Sequence, residues 1–282
     1  MGEETLPSLL YLIYIIVDSM KDIKYLIVPD VHGREFWKEP VKVTLGATNA
    51  DIVFLGDYHD PYPQDFDYDE DYLQKSVDNF KQIVDLKRQC PDRVTLLIGN
   101  HDCGYAIGDD ICNSRMDRWH RRELERIFEE NRELFQLAAE CDIVGRHIIF
   151  SHAGILKGWV ESVWGTGECS EPTFNVVDQL NQAWREDQYT VLNALGDYDS
   201  WRGWGGNQYG SPVWSDIRSW LKVTPEETYG YNIVGHTQTN GDPVVLDTIA
   251  DLDCRKVFYL DSGGRLCDYE TDEELKKMEI QS

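Results

Sequence analysis

Five short blocks gather the residues of this 282-residue chain that could do chemistry: Asp30-Val31-His32, Gly56-Asp57-Tyr58-His59-Asp60, Gly99-Asn100-His101-Asp102, Ser151-His152-Ala153-Gly154 and Gly235-His236. Carboxylate, amide oxygen and neutral imidazole are the donors that hard or borderline divalent metals take, and no thiolate stands among them. Asp57 is the natural bridge, because one carboxylate can give an oxygen to each of two ions about 3.5–4 Å apart. Asp30 and His32, separated by one residue at an extended strand end, can turn to the same side and hold a first ion. Asn100, His152 and His236 are then left for a second.

Each block follows a run that reads as a buried strand: Tyr25 to Val28, Ile52 to Leu55, Val94 to Ile98, His147 to Phe150 and Tyr231 to Val234. Strands of this kind sit in sheets covered on both faces, and the carboxyl ends of strands in open α/β sheets converge on a crevice. The blocks therefore share one plausible meeting point. Between them the pattern changes to a helical period, with Leu73, Val77, Phe80 and Val84 on one face of a first helix. A second helix is expected over about Trp119 to Ala139, with Leu124, Ile127, Phe128, Leu134 and Phe135 inward. Strand, block, helix, strand is the order that parallel βαβ units require.

From Gly158 to Trp220 the pattern loosens, and seven of the nine tryptophans crowd there with Gly203, Gly205, Gly206 and Gly210. This stretch reads as an inserted cap in a domain spanning 21–282. Such aromatic density more often builds a small core under long loops than a platform for a nucleotide base. Strands return at Val244 to Leu246 and Lys256 to Leu260, and a polar helical tail is expected over Asp272 to Glu279.

A formal charge of −24 disfavours proteins that track a phosphate backbone, since nucleic-acid binding draws on basic side chains displacing counterions. A small anion held through metal ions survives that argument. The acidic run Asp65 to Asp71 reads as a solvated loop with carboxylates at a helix start. Seven scattered cysteines without a Cys-x-x-Cys pair read as reduced thiols, hence a cytoplasmic expectation. Residues 1–20 form an apolar extension, its run Leu6 to Val17 too short for the roughly 20 residues of a membrane span and lacking the basic start of a signal peptide. The expectation is an upstream extension before a natural start at Met20, with a weak membrane-surface anchor as the alternative.

The order Asp-x-His, Gly-Asp-x-x-Asp, Gly-Asn-His-Asp, His-Ala-Gly and Gly-His resembles the calcineurin-like metallophosphoesterases over about Tyr25 to Gly264. Val213-Trp214-Ser215-Asp216 and Leu260-Asp261-Ser262-Gly263 resemble stretches of the branch that holds serine/threonine protein phosphatases and diadenosine tetraphosphate hydrolases. The resemblance implies a four-layer α/β/β/α sandwich and two divalent metal ions, often manganese, iron or zinc. Asp30, His32, Asp57, Asn100, His152 and His236 would be their ligands. It also implies attack on phosphorus by a metal-bound hydroxide, with His101 as the general acid on the leaving oxygen and Asp60 as the carboxylate orienting it.

Two departures bound the substrate. That branch usually continues Gly-Asp-x-x-Asp with Arg-Gly, where this chain has Pro61-Tyr62, so another arginine must meet the phosphate or the substrate differs. Arg34, Arg115 and Arg218 are unranked candidates. Gln238 stands where many phosphodiesterases and nucleases carry a second histidine, which favours the phosphatase branch. The expected substrate is a phosphorylated protein or a small phosphorylated molecule. A dinucleoside polyphosphate hydrolase, a phosphodiesterase or nuclease, and a non-catalytic metal-binding scaffold remain as alternatives. His59, Asp102, His120 and His147 are assigned no chemistry.

Overall fold

A computed structural model describes residues 22–108, 115–169, 171, 174–186, 210–239 and 241–278. Among these, the strands are β1 (Ile23–Val28), β2 (Asp51–Phe54), β3 (Val94–Leu97), β4 (Phe135–Gln136), β5 (Ala138–Ile143), β6 (Arg146–Ser151), β7 (Tyr231–Val234), β8 (Val244–Val245), β9 (Ile249–Asp251), β10 (Phe258–Asp261) and β11 (Leu266–Asp268). The helices are α1 (Lys38–Ala47), α2 (Tyr72–Gln89), α3 (Asn100–Ile107), α4 (Arg121–Glu130), α5 (Lys157–Trp164), α6 (Thr166–Cys169) and α7 (Val176–Glu186).

The strands form two sheets, ordered β11-β10-β1-β2-β3-β4 and β5-β6-β7-β9-β8. Neighbours from β1 to β4 are parallel, as the βαβ reading requires, and β10 closes antiparallel on β1. Alternation along each strand explains the layering. Ile27, Val53 and Leu97 of the first sheet cluster with Ile148, Phe150, Ile233 and Ala250 of the second. Leu26, Ile52, Phe54 and Leu96 cluster instead with Val77, Phe80 and Ile83 of α2. On the second sheet, Asn181 of α7 accepts the N–H groups of Leu137 and Ala138 at 2.9 and 3.2 Å and returns its own N–H to the Ala138 carbonyl. Helices thus flank both sheets, the α/β/β/α arrangement.

Three local expectations need correction. The second helix stops at Glu130, and Leu134 and Phe135 enter a 3-10 turn and β4. Asn131 is the reason: its side-chain N–H donates to the Ile127 carbonyl, satisfying a helix end, while its oxygen accepts Arg88 at 2.6 Å. The tail over 271–278 is an extended strap, its Leu275 and Met278 N–H groups donating to the Leu266 and Val245 carbonyls. In the acidic run only Asp65 departs from the solvated reading, accepting Arg34 and Arg255 at 2.7 and 2.9 Å and nearly buried, while Asp67 and Asp69 to Asp71 are exposed.

Trp159, Trp184 and Trp220 are fully buried, consistent with a core role for the described part of the tryptophan-rich stretch. Trp201, Trp204, Gly203, Gly205 and Gly206, like Cys112 and the extension 1–20, lie outside the described residues, so the cap as a unit is not established. The six described cysteines are all free. No described helix is long and apolar enough to cross a membrane.

Candidate metal centre and active site

The site residues leave the carboxyl ends of β1, β2, β3, β6 and β7, so the two sheets contribute from opposite sides of one crevice. Ligand atoms of His32, Asp57 and His101 lie within 4.8 Å of one another, as do those of Asp30, Asp57 and His152. Asp57 is common to both sets. Its two oxygens are divided: Oδ2 lies 3.5 Å from His32 Nε2 and Oδ1 lies 3.6 Å from His152 Nε2. Asn100 and His236 join the second set, with Asn100 Oδ1 2.9 Å from both His152 Nε2 and His236 Nδ1. All eight residues singled out in the sequence therefore come together, Asp60 through its bond to His101.

The loops that bring them there are conformationally costly. His32, Asp57, Asp60 and His236 all have left-handed backbones, with φ of 44°, 52°, 57° and 74°. Non-glycine residues hold such angles at a cost of order 1–3 kcal/mol and keep them only where neighbours over-determine them. Here the His32 N–H donates to the Asp57 carbonyl at 2.7 Å and the His236 N–H to the Asp30 carboxylate at 3.0 Å. The glycines before the ligands have a steric reason. A Cβ on Gly99 would lie 2.1 Å from Asp57 Oδ1, and one on Gly235 would lie 2.1 Å from Asp30 Oδ1.

Hydrogen bonds to the backbone orient two of the rings. His32 Nδ1 donates to the His59 carbonyl at 2.9 Å and His152 Nδ1 to the Leu55 carbonyl at 2.8 Å, which aims both Nε2 lone pairs at Asp57. Burial holds the pKa of both histidines down, so the rings are neutral and able to ligate. Burial pushes the carboxyls of Asp30 and Asp57 up, and Asp30 raises Asp57 further. Two buried carboxylates with converging neutral imidazoles form a donor set whose charge a divalent cation would balance. The residues fit such an ion.

His101 differs from the other histidines. Its backbone N–H donates to Asp57 Oδ1 at 2.9 Å from the first turn of α3, while Nδ1 donates to Asp60 Oδ2 at 2.8 Å and Nε2 accepts Arg115 Nη2 at 3.0 Å. Both ring nitrogens are engaged, which argues against a ligand role. Burial raises the Asp60 pKa to about 6, against the pull of His59 and the Tyr105 hydroxyl, which donates to Asp60 Oδ1.

Behind this pair lies a layer that the sequence did not disclose. Ser76 Oγ meets His59 Nδ1 at 2.7 Å, and His59 Nε2 meets Asp117 Oδ2 at 3.1 Å. The constellation has nucleophile-triad residue types, but all three side chains are buried and Ser76 is 0% exposed. It is a brace: the His59 carbonyl holds His32, and the Asp117 N–H donates to Asp60 at 3.2 Å.

Asp102, assigned no chemistry from the sequence, clamps two loops. Its buried carboxylate accepts the N–H groups of Gly99 and Asp57 at 2.8 Å each and of Tyr58 at 3.2 Å. Asp102→Ala leaves three buried donors unpaired, and at about 1–3 kcal/mol for each unsatisfied group the expected loss is at least about 3 kcal/mol. Urea denaturation of the metal-free protein measures it, and a loss below about 1 kcal/mol would show that the clamp does not hold the loops.

A carboxylate shared by two histidine-containing sets at the strand ends of a two-sheet α/β/β/α sandwich defines a class, the metal-dependent phosphoesterases. The profile of the calcineurin-like phosphoesterases matches residues 23–240, and the chain belongs to that family. A search of curated proteins gives no match. Among solved structures, a cold-active protein tyrosine phosphatase is similar at 16% identity with a TM-score of 0.55, covering 92% of this chain and 83% of that one. A protein serine/threonine phosphatase from Saccharomyces cerevisiae is similar at 13% identity with a TM-score of 0.45, covering 92% and 84%. At 16% identity the first likeness concerns the fold alone.

Proposed function

We propose that this phosphoesterase hydrolyses phosphomonoesters with two divalent ions, manganese, iron or zinc, and that its substrate is a serine/threonine phosphoprotein. Asp30, His32 and Asp57 would hold the first ion, and Asp57, Asn100, His152 and His236 the second. The observation that carries the reading is the division of Asp57's oxygens between the two donor sets, with the His101–Asp60 pair beside them. Divalent ions held there would acidify a water and neutralise charge on the phosphoryl oxygens.

The chain's own groups account for the rest. His101, whose Nε2 accepts Arg115 in the resting site, first takes a proton from solvent at Nε2; as water attacks phosphorus and the bond to the leaving oxygen breaks, it delivers that proton to the oxygen and returns to the neutral ring, Nδ1–H still on Asp60. Tyr105 and the Asp117 N–H hold the Asp60 carboxylate in place. Neither serine nor cysteine is required as a nucleophile. The phosphoprotein reading rests on the resemblance of Val213-Trp214-Ser215-Asp216 to a branch that also holds diadenosine tetraphosphate hydrolases; the Trp214 ring of that stretch stands edge-on to His236 with centroids 5.6 Å apart.

Assays of the manganese-loaded protein against p-nitrophenyl phosphate, phosphoserine, phosphothreonine and phosphotyrosine peptides, diadenosine tetraphosphate and DNA separate the readings. Turnover of phosphoserine or phosphothreonine peptides is the expected result. Preference for phosphotyrosine or the dinucleotide would reassign the substrate, and no turnover of any ester would overturn the hydrolase assignment.

A further inference from the structure

The loop after Asp60 carries Pro61-Tyr62 where an arginine would meet the substrate phosphate, and the protein's charge of −24 makes any gathered cation conspicuous. Two guanidinium groups approach the Tyr62 ring at the mouth of the metal centre. Arg115 lies over it, with Cζ 3.6 Å from the ring centroid, and Arg34 lies 5.3 Å away. Tyr62 also packs edge-on against His32, with ring centroids 5.2 Å apart. One ring thus ties a proposed metal ligand to a cation.

We infer that Arg115, carried over the centre by Tyr62, is the group that grips the substrate's phosphoryl oxygens. The inference rests on the phosphoesterase reading of this site and names the residue that completes it. Among the described residues Arg115 has these anchors: Nη1 donates to the Asp60 carbonyl at 2.5 Å, Nη2 to His101 Nε2 at 3.0 Å, and the guanidinium face rests on Tyr62. The anchor at His101 is the informative one. Nε2 is the atom that must face the leaving oxygen, so a guanidinium within hydrogen-bond distance of it also reaches the oxygens on the same phosphorus.

A neutral ring nitrogen is a poorer partner for a guanidinium than a phosphoryl dianion, which accepts a planar fork of two N–H groups. Substrate arrival would draw Nη2 from the ring to phosphate and free Nε2 to take up the proton it then gives the leaving group, while the carbonyl bond and the stack keep Arg115 in place. Guanidinium–aromatic stacking of this kind strengthens as water is excluded.

The other candidates are placed differently. Arg218 is 69% exposed, and its guanidinium is held by Asp216 of its own turn at 2.8 and 2.6 Å. Arg34 gives Nε to Asp65 at 2.7 Å, and its buried Nη2 has no hydrogen-bond partner among the described residues. Arg34, with Nη1 3.5 Å from the Asp30 carbonyl, is therefore a second, fixed donor, and Arg115 is the one in contact with the His101 ring.

The test uses the full-length chain with Arg115→Ala, Arg115→Lys, Tyr62→Ala and Tyr62→Phe. Inorganic phosphate affinity is measured by calorimetry with and without manganese, together with kcat and KM on whichever ester the wild type turns over. Arg115→Ala is expected to weaken phosphate binding and raise KM by about 10- to 100-fold, the scale of losing hydrogen bonds from a charged donor. Arg115→Lys should recover only part, because an ammonium cannot form the fork. Tyr62→Phe keeps the ring and should stay within about threefold of wild type, whereas Tyr62→Ala should weaken phosphate about tenfold.

Unchanged phosphate affinity in folded Arg115→Ala overturns the inference, as does a variant altering only the pH dependence of kcat, which would make Arg115 a modulator of His101. Should Arg115→Ala not fold, Arg115→Lys with wild-type affinity and KM overturns it equally. A wild type that binds phosphate but turns over no ester counts against the hydrolase reading while the affinity series still decides the role of Arg115.

Discussion

Asp57→Asn is expected to lower turnover at least about 10³-fold while raising the melting temperature of the metal-free protein by about 2 °C. The two effects have one origin. Asp57 is buried; burial raises its pKa, and the charges of Asp30 and Asp102 raise it further, so the carboxylate is unfavourable until a cation faces it. Asparagine keeps the volume and an oxygen able to accept the His101 N–H. Removing the charge should return about 1 kcal/mol, or about 2 °C in a chain of this size.

The same substitution turns one of the two oxygens into an NH₂ group. That group has no lone pair for an ion and would meet the Nε2 lone pair of His32 or His152, now 3.5 and 3.6 Å from the carboxylate. Losing a group that organises transition-state charge costs on the order of 10²–10³ even for a single donor, and here two donor sets lose their common member. Calorimetric melting with EDTA and with manganese, alongside turnover, checks both halves. A variant that keeps the manganese-induced rise in melting temperature and its turnover would refute the shared-ligand assignment.

The contrast between legible and illegible parts of this molecule follows the range over which each signal acts. The strands were readable because branched and aromatic runs between turn residues are local, and the ligands because they sit within four residues of a strand end. His152, for example, directly follows Ser151, the last residue of β6. The clamp of Asp102 was not readable: its position in the first turn of α3 looks like an ordinary helix-start carboxylate, and only folding brings the N–H groups of Asp57 and Tyr58 to it across 45 and 44 residues. Arg115 is similar, meeting the Asp60 carbonyl across 55 residues without any periodic cue. At Asn131 the apolar spacing continued helically through Leu134 and Phe135, but a side-chain bond to Ile127 ended the helix and strand pairing claimed the rest. Tertiary pairing overrides local period where a polar side chain offers the backbone another partner.

His101→Asn is expected to separate substrates by leaving group. An alkyl phosphate leaves as an alkoxide and needs a proton in the transition state, so the loss there should be about 10²–10⁴-fold. p-Nitrophenolate leaves without one, and its loss should be about tenfold or less. Asp60 sets the pH range of this acid. Its carboxylate holds the ring through the 2.8 Å bond to Nδ1, and burial places its pKa at about 6. Turnover of the alkyl ester should therefore fall as pH drops through about 6, and Asp60→Asn should lie about tenfold lower while lacking that limb. Unfolding does not account for the limb. A carboxyl whose folded pKa lies above its unfolded value near 3.8 binds more protons when folded, so this group's contribution to stability grows as pH falls through 6. Rate–pH profiles on both esters, with melting temperatures over the same range, provide the measurement. Equal losses on the two esters would remove His101 from the acid role and place it among the groups that hold the ions or the phosphate.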